Sequence, residues 1–192
     1  MKIKEITFVA LFAAVMGALG LVPPITLSFS PVPITLQTLG VLISGGVLGA
    51  RLGAMSQIIF LLLVAAGVPI LSGGRGGLSV FVGPSVGYLI AWPITAYCIG
   101  YLLKRFKTLK LQYVLLINLT VGILLIYLIG IPVQSFMMHI SVLEAVKLSL
   151  VFIPGDALKA IFASILVYRL RKHPVFIRSL GTNYSNQTSK NM

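Results

Sequence analysis

The chain has 192 residues, of which 58% are hydrophobic and only 9% charged, and its mean hydropathy is +1.05. Soluble domains are about half apolar and about a quarter charged, so this composition excludes an ordinary soluble domain and indicates a membrane protein. The net charge of +12 would suggest nucleic-acid binding in a soluble protein. Here the basic residues lie between apolar runs, so we interpret them as topology signals and expect no nucleic-acid partner.

Apolar runs bounded by proline, glycine or charge are predicted to be membrane-spanning helices. In chain order they cover residues 6–22, 35–50, 52–68, 86–103, 111–131 and 157–170. The apolar segment 141–153 is too short to cross a bilayer and is predicted to form a surface or re-entrant helix. The expected fold is therefore an all-α, polytopic bundle of six transmembrane helices.

The domain organisation follows from where the chain turns polar. Residues 1–180 are expected to form a single membrane domain, and the Asn- and Ser-rich residues 181–192 a disordered cytoplasmic tail. The first apolar run follows the basic residues Lys2 and Lys4, as in a cleavable signal peptide. It is long for such a signal and other spans follow it, so we expect it to be retained as a helix.

The distribution of lysine and arginine predicts the orientation. If the N-terminus is cytoplasmic, every Lys and Arg except Arg75, Lys147 and Lys159 falls on the inner side, as the positive-inside rule requires. Both termini are therefore expected inside. The outer connections, 23–34, 69–85 and 132–155, each contain proline and are expected to fold back over the bundle, where they would cover a cavity that opens outward.

Among the acidic residues, Asp156 stands out because it lies near the predicted start of the last helix. Lys159 follows three residues later on the same helical face, close enough to form an ion pair. The alternatives are an N-cap or a local ion pair without a ligand. Ionisable groups that face a bundle interior usually mark a binding path, and an Asp beside a Lys matches a urea or amide.

Further candidate residues lie in or near the outer connections. Arg75, within the glycine-rich run 73–77, either binds a carboxylate or contacts solvent and lipid headgroups. Thr35, Gln37 and Thr38 either line a polar cavity or stabilise helix ends and helix contacts. Tyr88 either contacts a ligand or, like Trp92, anchors the chain at the membrane interface.

Small residues recur every fourth position in the first helix, at Ala10, Ala14 and Ala18. Such a stripe lets another helix approach closely, either from the same chain or from a separate membrane subunit. The spacing alone favours the internal partner slightly.

The sequence offers no pattern for catalysis, metal binding or nucleotide binding. Its glycine-rich runs fit neither a Walker loop nor GxGxxG, so any nucleotide would act through a partner. His139, His173 and Cys98 are far apart and form no metal-ligand pattern. We therefore predict no catalytic residues, no metal and no cofactor.

Four motifs together resemble the BioY family, the biotin-specific substrate-capture components of energy-coupling-factor (ECF) vitamin transporters. The resemblance covers residues 6–172. The motifs are PVPITLQTLG at 31–40, GGRGG at 73–77, GPSVGY at 83–88, and FIPGD at 152–156 with Lys159.

The resemblance implies a six-helix subunit of the bacterial cell membrane that binds biotin from outside. Its implied partners are a transmembrane coupling protein and two cytoplasmic ATPases, which would supply the energy for vitamin uptake. In these transporters the small-residue stripe of the first helix docks the coupling protein, which shifts our expectation for Ala10, Ala14 and Ala18 to partner contact.

The resemblance also gives the candidate residues roles as substrate contacts. Asp156 would accept from the ureido N–H groups of biotin, and Lys159 would donate to its carbonyl. Arg75, or less favourably Lys147, would bind the carboxylate, while Tyr88 would pack on the rings. Thr35 and Gln37 complete the predicted substrate-binding set.

Two other functional classes fit a polytopic membrane protein. A stand-alone secondary transporter should show internal repeats or a relay of titratable groups, and the sequence shows neither. A membrane enzyme should show a nucleophile or metal set, and none is evident.

Overall fold

The computed structural model describes residues 2–106 and 108–173. The predicted disordered tail and the basic residues Lys107, Arg178 and Lys190 lie outside this part of the chain. Its α-helices, numbered here in chain order, are α1 (Ile3–Gly20), α2 (Gln37–Leu48), α3 (Ala50–Ala65), α4 (Val86–Arg105), α5 (Leu111–Met138), α6 (Val142–Leu150) and α7 (Ile153–Lys172). Two short strands, β1 (Ile25–Leu27) and β2 (Ser30–Ile34), lie between α1 and α2.

Each predicted span overlaps one of these helices, and the chain is a multi-pass membrane protein. By length and composition, α1, α4 and α5 can each cross a membrane, and α6 with α7 forms a further candidate span bent by 58°. The apolar helices α2 and α3 are shorter, at 12 and 16 residues. The count of six crossings and the inside location of both termini stay predictions.

The predicted boundaries around the last two spans were wrong. We expected a helix to end before Pro132, but α5 continues to Met138, where the left-handed residue His139 ends it. Membrane helices accommodate proline because neighbouring groups satisfy the freed backbone atoms. The final helix begins at Ile153, not Ala157, because Pro154 occupies its first turn, a position that proline favours.

Small residues bring α2, α3 and α4 close together. Gly49, with a φ of 81°, lets the chain turn sharply between α2 and α3. At Gly45 there is no room for a side chain, because the backbone of Ala96 in α4 lies against it. Such contacts stabilise membrane bundles because backbones that approach closely gain van der Waals packing.

The connections at one end of the bundle fold back over it, as expected for 23–34 and 69–85. Strands β1 and β2 pair antiparallel, with Ile25 opposite Ile34 and Leu27 opposite Ser30. The all-α prediction missed this hairpin, which satisfies backbone groups of an apolar loop within the loop itself. The second connection is fixed by backbone hydrogen bonds in both directions between Leu71 and Arg75, each 3.1 Å long.

Candidate ligand-binding site

A cavity opens at the hairpin end of the bundle and contains about 590 Å³ of empty space, including its open mouth. Its wall is built from β2, the loop before α4, and the helices α2, α4, α5 and α7. The six residues predicted from the sequence as substrate contacts all line it, namely Thr35, Gln37, Arg75, Tyr88, Asp156 and Lys159.

An ion pair lies in the cavity wall. Lys159 Nζ donates to Asp156 Oδ1 at 2.6 Å, and the two side chains are only 11% and 14% exposed. Lys159 Nζ also donates to the backbone oxygen of Thr35 at 2.7 Å and to Thr38 Oγ1 at 3.0 Å. All three N–H groups of the ammonium are therefore engaged, and α7 is tied to the start of α2.

Tyr127 is a member of this network that the sequence reading did not single out. Its hydroxyl donates to Asp156 Oδ2 at 2.5 Å, and the Thr38 hydroxyl donates to Oδ1 at 3.4 Å. Both oxygens of the carboxylate thus have protein donors. The sequence did contain a signal for this role, a tyrosine hydroxyl within an apolar predicted span, because buried tyrosine usually needs a hydrogen-bond partner.

The N-cap alternative for Asp156 was wrong. The N-cap of α7 is Phe152, whose oxygen accepts from the Asp156 amide at 2.9 Å, so Asp156 lies inside the first turn. The ion pair within α7 also shares hydrogen bonds with α2 and α5, and its role in binding a ligand stays a prediction. A buried charge pair held by several elements beside a cavity is typical of a binding site.

Tyr88 and Trp92 belong to the cavity wall, so the alternative that they are interfacial anchors was wrong. Tyr88 donates to Gln134 Oε1 at 2.6 Å and forms a second hydrogen bond with Ser149 Oγ at 3.1 Å. Its ring meets that of Tyr127 edge to face, with centroids 6.3 Å apart. The Trp92 indole N–H has no acceptor among the described residues.

Gln37 and Thr35 line the cavity mainly through hydrogen bonds that involve backbone atoms. The Gln37 amide donates to the backbone oxygens of Met16 and Ile70 at 3.1 and 3.2 Å, and accepts from the Ser72 amide at 3.0 Å. The side chain is fully buried, so its polar atoms join α1, α2 and the second loop. Thr35 contributes its backbone oxygen to Lys159.

Arg75 provides the second positive charge of the lining. Its Nε donates to the Ser72 oxygen at 3.1 Å, while its terminal nitrogens have no acceptor among the described residues. Burial lowers the pKa of Arg75 from its ordinary value, but a guanidinium stays charged at neutral pH. The alternative candidate for a carboxylate partner, Lys147, is exposed on α6 and does not line the cavity.

The alanine stripe of α1 is not packed inside the chain. Helix α1 buries Val9, Phe12, Ala13 and Met16, whereas Ala10, Ala14 and Ala18 are all exposed. The internal-packing alternative was therefore wrong, and this face of α1 is available to lipid or to another protein.

Known proteins resemble the chain over most of its length. The BioY family pattern matches residues 1–174. The probable biotin transporter BioY of Bacillus subtilis is 45% identical over 170 residues, which cover 88% of this chain and 91% of that protein. The biotin transporter BioY of Rhizobium etli is 44% identical over 175 residues, covering 86% and 92% respectively.

A solved structure supports the same assignment. It is the crystal structure of the S-component for biotin from an ECF-type ABC transporter, with a TM-score of 0.86 and 41% sequence identity. The match covers 89% of this chain and 92% of that one. At this level of similarity in sequence and fold, the chain belongs to the BioY family.

Proposed function

We propose that this chain captures biotin at the outer face of the bacterial cell membrane, as the substrate-binding subunit of an ECF-type ABC transporter. The observation that carries the proposal is the buried Asp156 and Lys159 pair, held by Tyr127 and Thr38 in the wall of a cavity. The relatives are named as transporters, which supports a transport subunit and not an enzyme.

The ureido ring of biotin matches this network chemically. It has two N–H donors beside a carbonyl, and a carboxylate offers about four acceptor sites, of which protein donors use two on Asp156 Oδ1 and one on Oδ2. One ligand N–H can therefore bind the free site on Oδ2, and the other would replace the Thr38 hydroxyl, whose 3.4 Å contact with Oδ1 is the longest of the three. The Lys159 ammonium is fully engaged without ligand, so the ligand carbonyl must replace one acceptor. We assign that role to Thr38 Oγ1, because its 3.0 Å hydrogen bond is the longest of the three.

The carboxylate, the apolar rings and the chain of biotin fit the remaining cavity wall. The carboxylate would bind the free terminal nitrogens of Arg75, since guanidinium and carboxylate groups pair well in bidentate geometry. Tyr88 would contact the apolar rings and chain. Gln37 and Thr35 would act mainly through the backbone contacts that fix the second loop and Lys159.

The transport step requires partners in this proposal. The bundle would cross the membrane six times, with both termini in the cytoplasm and the cavity facing outward. The exposed alanine face of α1 would dock a transmembrane coupling protein, and two cytoplasmic ATPases would hydrolyse the ATP. Reorientation of the bundle would then present the cavity to the cytoplasm.

The test is binding of radiolabelled biotin to the purified chain in lipid nanodiscs. Asp156→Asn and Lys159→Ala should each weaken binding about 10- to 100-fold, because each removes a hydrogen bond to a charged group. As controls outside the cavity, Glu144→Gln and Lys147→Ala should bind like the unmutated chain. No binding by the unmutated chain would refute the function, whereas equal affinity in all five proteins would refute only the assigned site.

A further inference from the structure

A second open space adjoins the cavity on the side of the glycine-rich loop. We call it the outer groove, and it holds about 710 Å³ including open solvent. Its wall includes Gly74, Arg75, Gly76, Ser79, Gly83 and Ser85. Arg75 and Ser85 line both spaces, so the groove and the cavity are neighbours that share part of their walls.

The groove differs from the cavity in its chemistry. Among the residues that the structure describes, its lining consists of glycine, serine, proline and one valine besides Arg75, with no acidic side chain. Arg75 is its one charged group, and its terminal nitrogens have no acceptor among the described residues. Such a surface has room for a flexible polar chain and does not repel a negative charge.

We propose that the outer groove admits ligands that continue beyond the carboxyl carbon of biotin, specifically amides of biotin with a primary amine such as the lysine side chain. The inference rests on the proposed function, because it needs the ureido ring at Asp156 and the acyl end at Arg75. It extends the substrate class from the free acid to its amides.

The position of Arg75 is what allows the extension. An amide retains a carbonyl oxygen that accepts a hydrogen bond from the guanidinium, so Arg75 keeps one of the two ligand oxygens that a carboxylate would offer. The nitrogen substituent then leaves the cavity through the side that Arg75 shares with the groove. Because the amide lacks the negative charge, we expect it to bind about 10- to 100-fold more weakly than biotin.

Two substitutions can block the groove without touching the cavity. Gly83 and Ser79 line only the groove, and a Cβ placed on Gly83 would have no atom within 4 Å. Gly83→Phe and Ser79→Phe should therefore fill the space from two sides. Val82→Phe is the matched control, because Val82 is 73% exposed and lines neither space.

The experiment measures displacement of radiolabelled biotin by unlabelled biotin and by biotinyl-lysine, its amide with the lysine side chain. We expect both blocked variants to bind biotin within about 3-fold of the unmutated chain and biotinyl-lysine at least about 10-fold more weakly, while Val82→Phe changes neither. Retained biotin binding also shows that each variant is folded. If Gly83→Phe does not fold, Ser79→Phe decides the result.

The possible failures point to different conclusions. If the unmutated chain binds biotin but not biotinyl-lysine, the inference is overturned and the proposed function stands. If biotinyl-lysine binds equally well to the unmutated and blocked proteins, the extension does not occupy the groove and the inference is again overturned. If biotin itself does not bind, the proposed function fails first.

Discussion

Asp156 is the residue at which three helices of the bundle meet. Its carboxylate accepts from Lys159 in its own helix α7, from Thr38 in α2 and from Tyr127 in α5. A carboxylate at membrane depth is costly unless it is paired and hydrogen bonded. The same donors that stabilise its charge also fix the orientation of the carboxylate, and in the proposed function this orientation is what a ligand with N–H groups recognises.

Replacing Tyr127 with phenylalanine tests this positioning role. Tyr127→Phe should weaken biotin binding about 10-fold, because Asp156 Oδ2 loses its donor and the carboxylate can turn. In an Asp156→Asn background the same change should have little further effect, as expected for residues that act as a unit. The measurement is a double-mutant cycle of biotin dissociation constants.

Tyr113→Phe is the matched control for Tyr127→Phe, because Tyr113 lies elsewhere on α5 and stacks on Phe106. It should leave biotin affinity unchanged. Losses that simply add in the double mutant would mean that Tyr127 acts independently of Asp156.

Gln37 illustrates the opposite case, a cavity residue whose polar atoms already have protein partners. Gln37→Leu should lower the melting temperature by about 5 °C or more, because it leaves the oxygens of Met16 and Ile70 and the Ser72 amide without their partner. Thermal unfolding in detergent measures this, and Gln112→Leu at an exposed position of α5 should change nothing. An unchanged melting temperature with lost biotin binding would instead make Gln37 a direct ligand contact.

At the scale of the elements, the sequence predicted the positions of the helices better than the contacts between them. Apolar runs located every long helix because the bilayer demands about 20 apolar residues per crossing. The end of α5 was missed because proline stops helices in water more reliably than in membranes. The role of Tyr127 was missed because it is 29 residues from Asp156 in the chain, and one sequence carries no record of such a pair.

The close contact between α4 and α5 shapes the cavity wall. A Cβ on Gly130 of α5 would collide with the ring of Tyr88, which lines the cavity from α4. Gly130→Ala should therefore displace that ring and weaken biotin binding about 10-fold, with a fall in melting temperature. Titration with radiolabelled biotin and thermal unfolding measure the two effects.

Gly155→Ala provides the comparison for Gly130→Ala, since it makes the same change in a helix where a Cβ would have no atom within 4 Å. It should be neutral or slightly stabilising, because alanine favours the helix over glycine by up to about 1 kcal/mol. Equal damage from both changes would indicate a general helix effect and not the Tyr88 contact.

At the scale of the whole molecule, the cavity and the exposed alanine face are linked through α1. The Met16 oxygen on the buried side of α1 accepts from Gln37, and Gln37 also holds the loop that carries Arg75. A protein that docks on the opposite face of α1 would therefore contact a helix already joined to the cavity wall. Under the proposed function, docking would use the exposed face of α1, whereas the buried side of α1 reaches the cavity wall through Gln37, so substitutions should separate docking from ligand capture.

Adding bulk to the alanine face should abolish transport while sparing capture. Ala10→Leu with Ala14→Leu should prevent co-purification of a co-expressed coupling protein and stop biotin uptake by cells, because the larger side chains keep the partner helix at a distance. Biotin binding to the purified double variant should stay within about 2-fold of the unmutated chain, since both alanines are exposed and outside the cavity. Leu128→Phe, at a position of α5 that is 63% exposed, should leave both properties intact. Co-purification that survives the double substitution would place the coupling protein on another face, and the alanine stripe would then face only lipid.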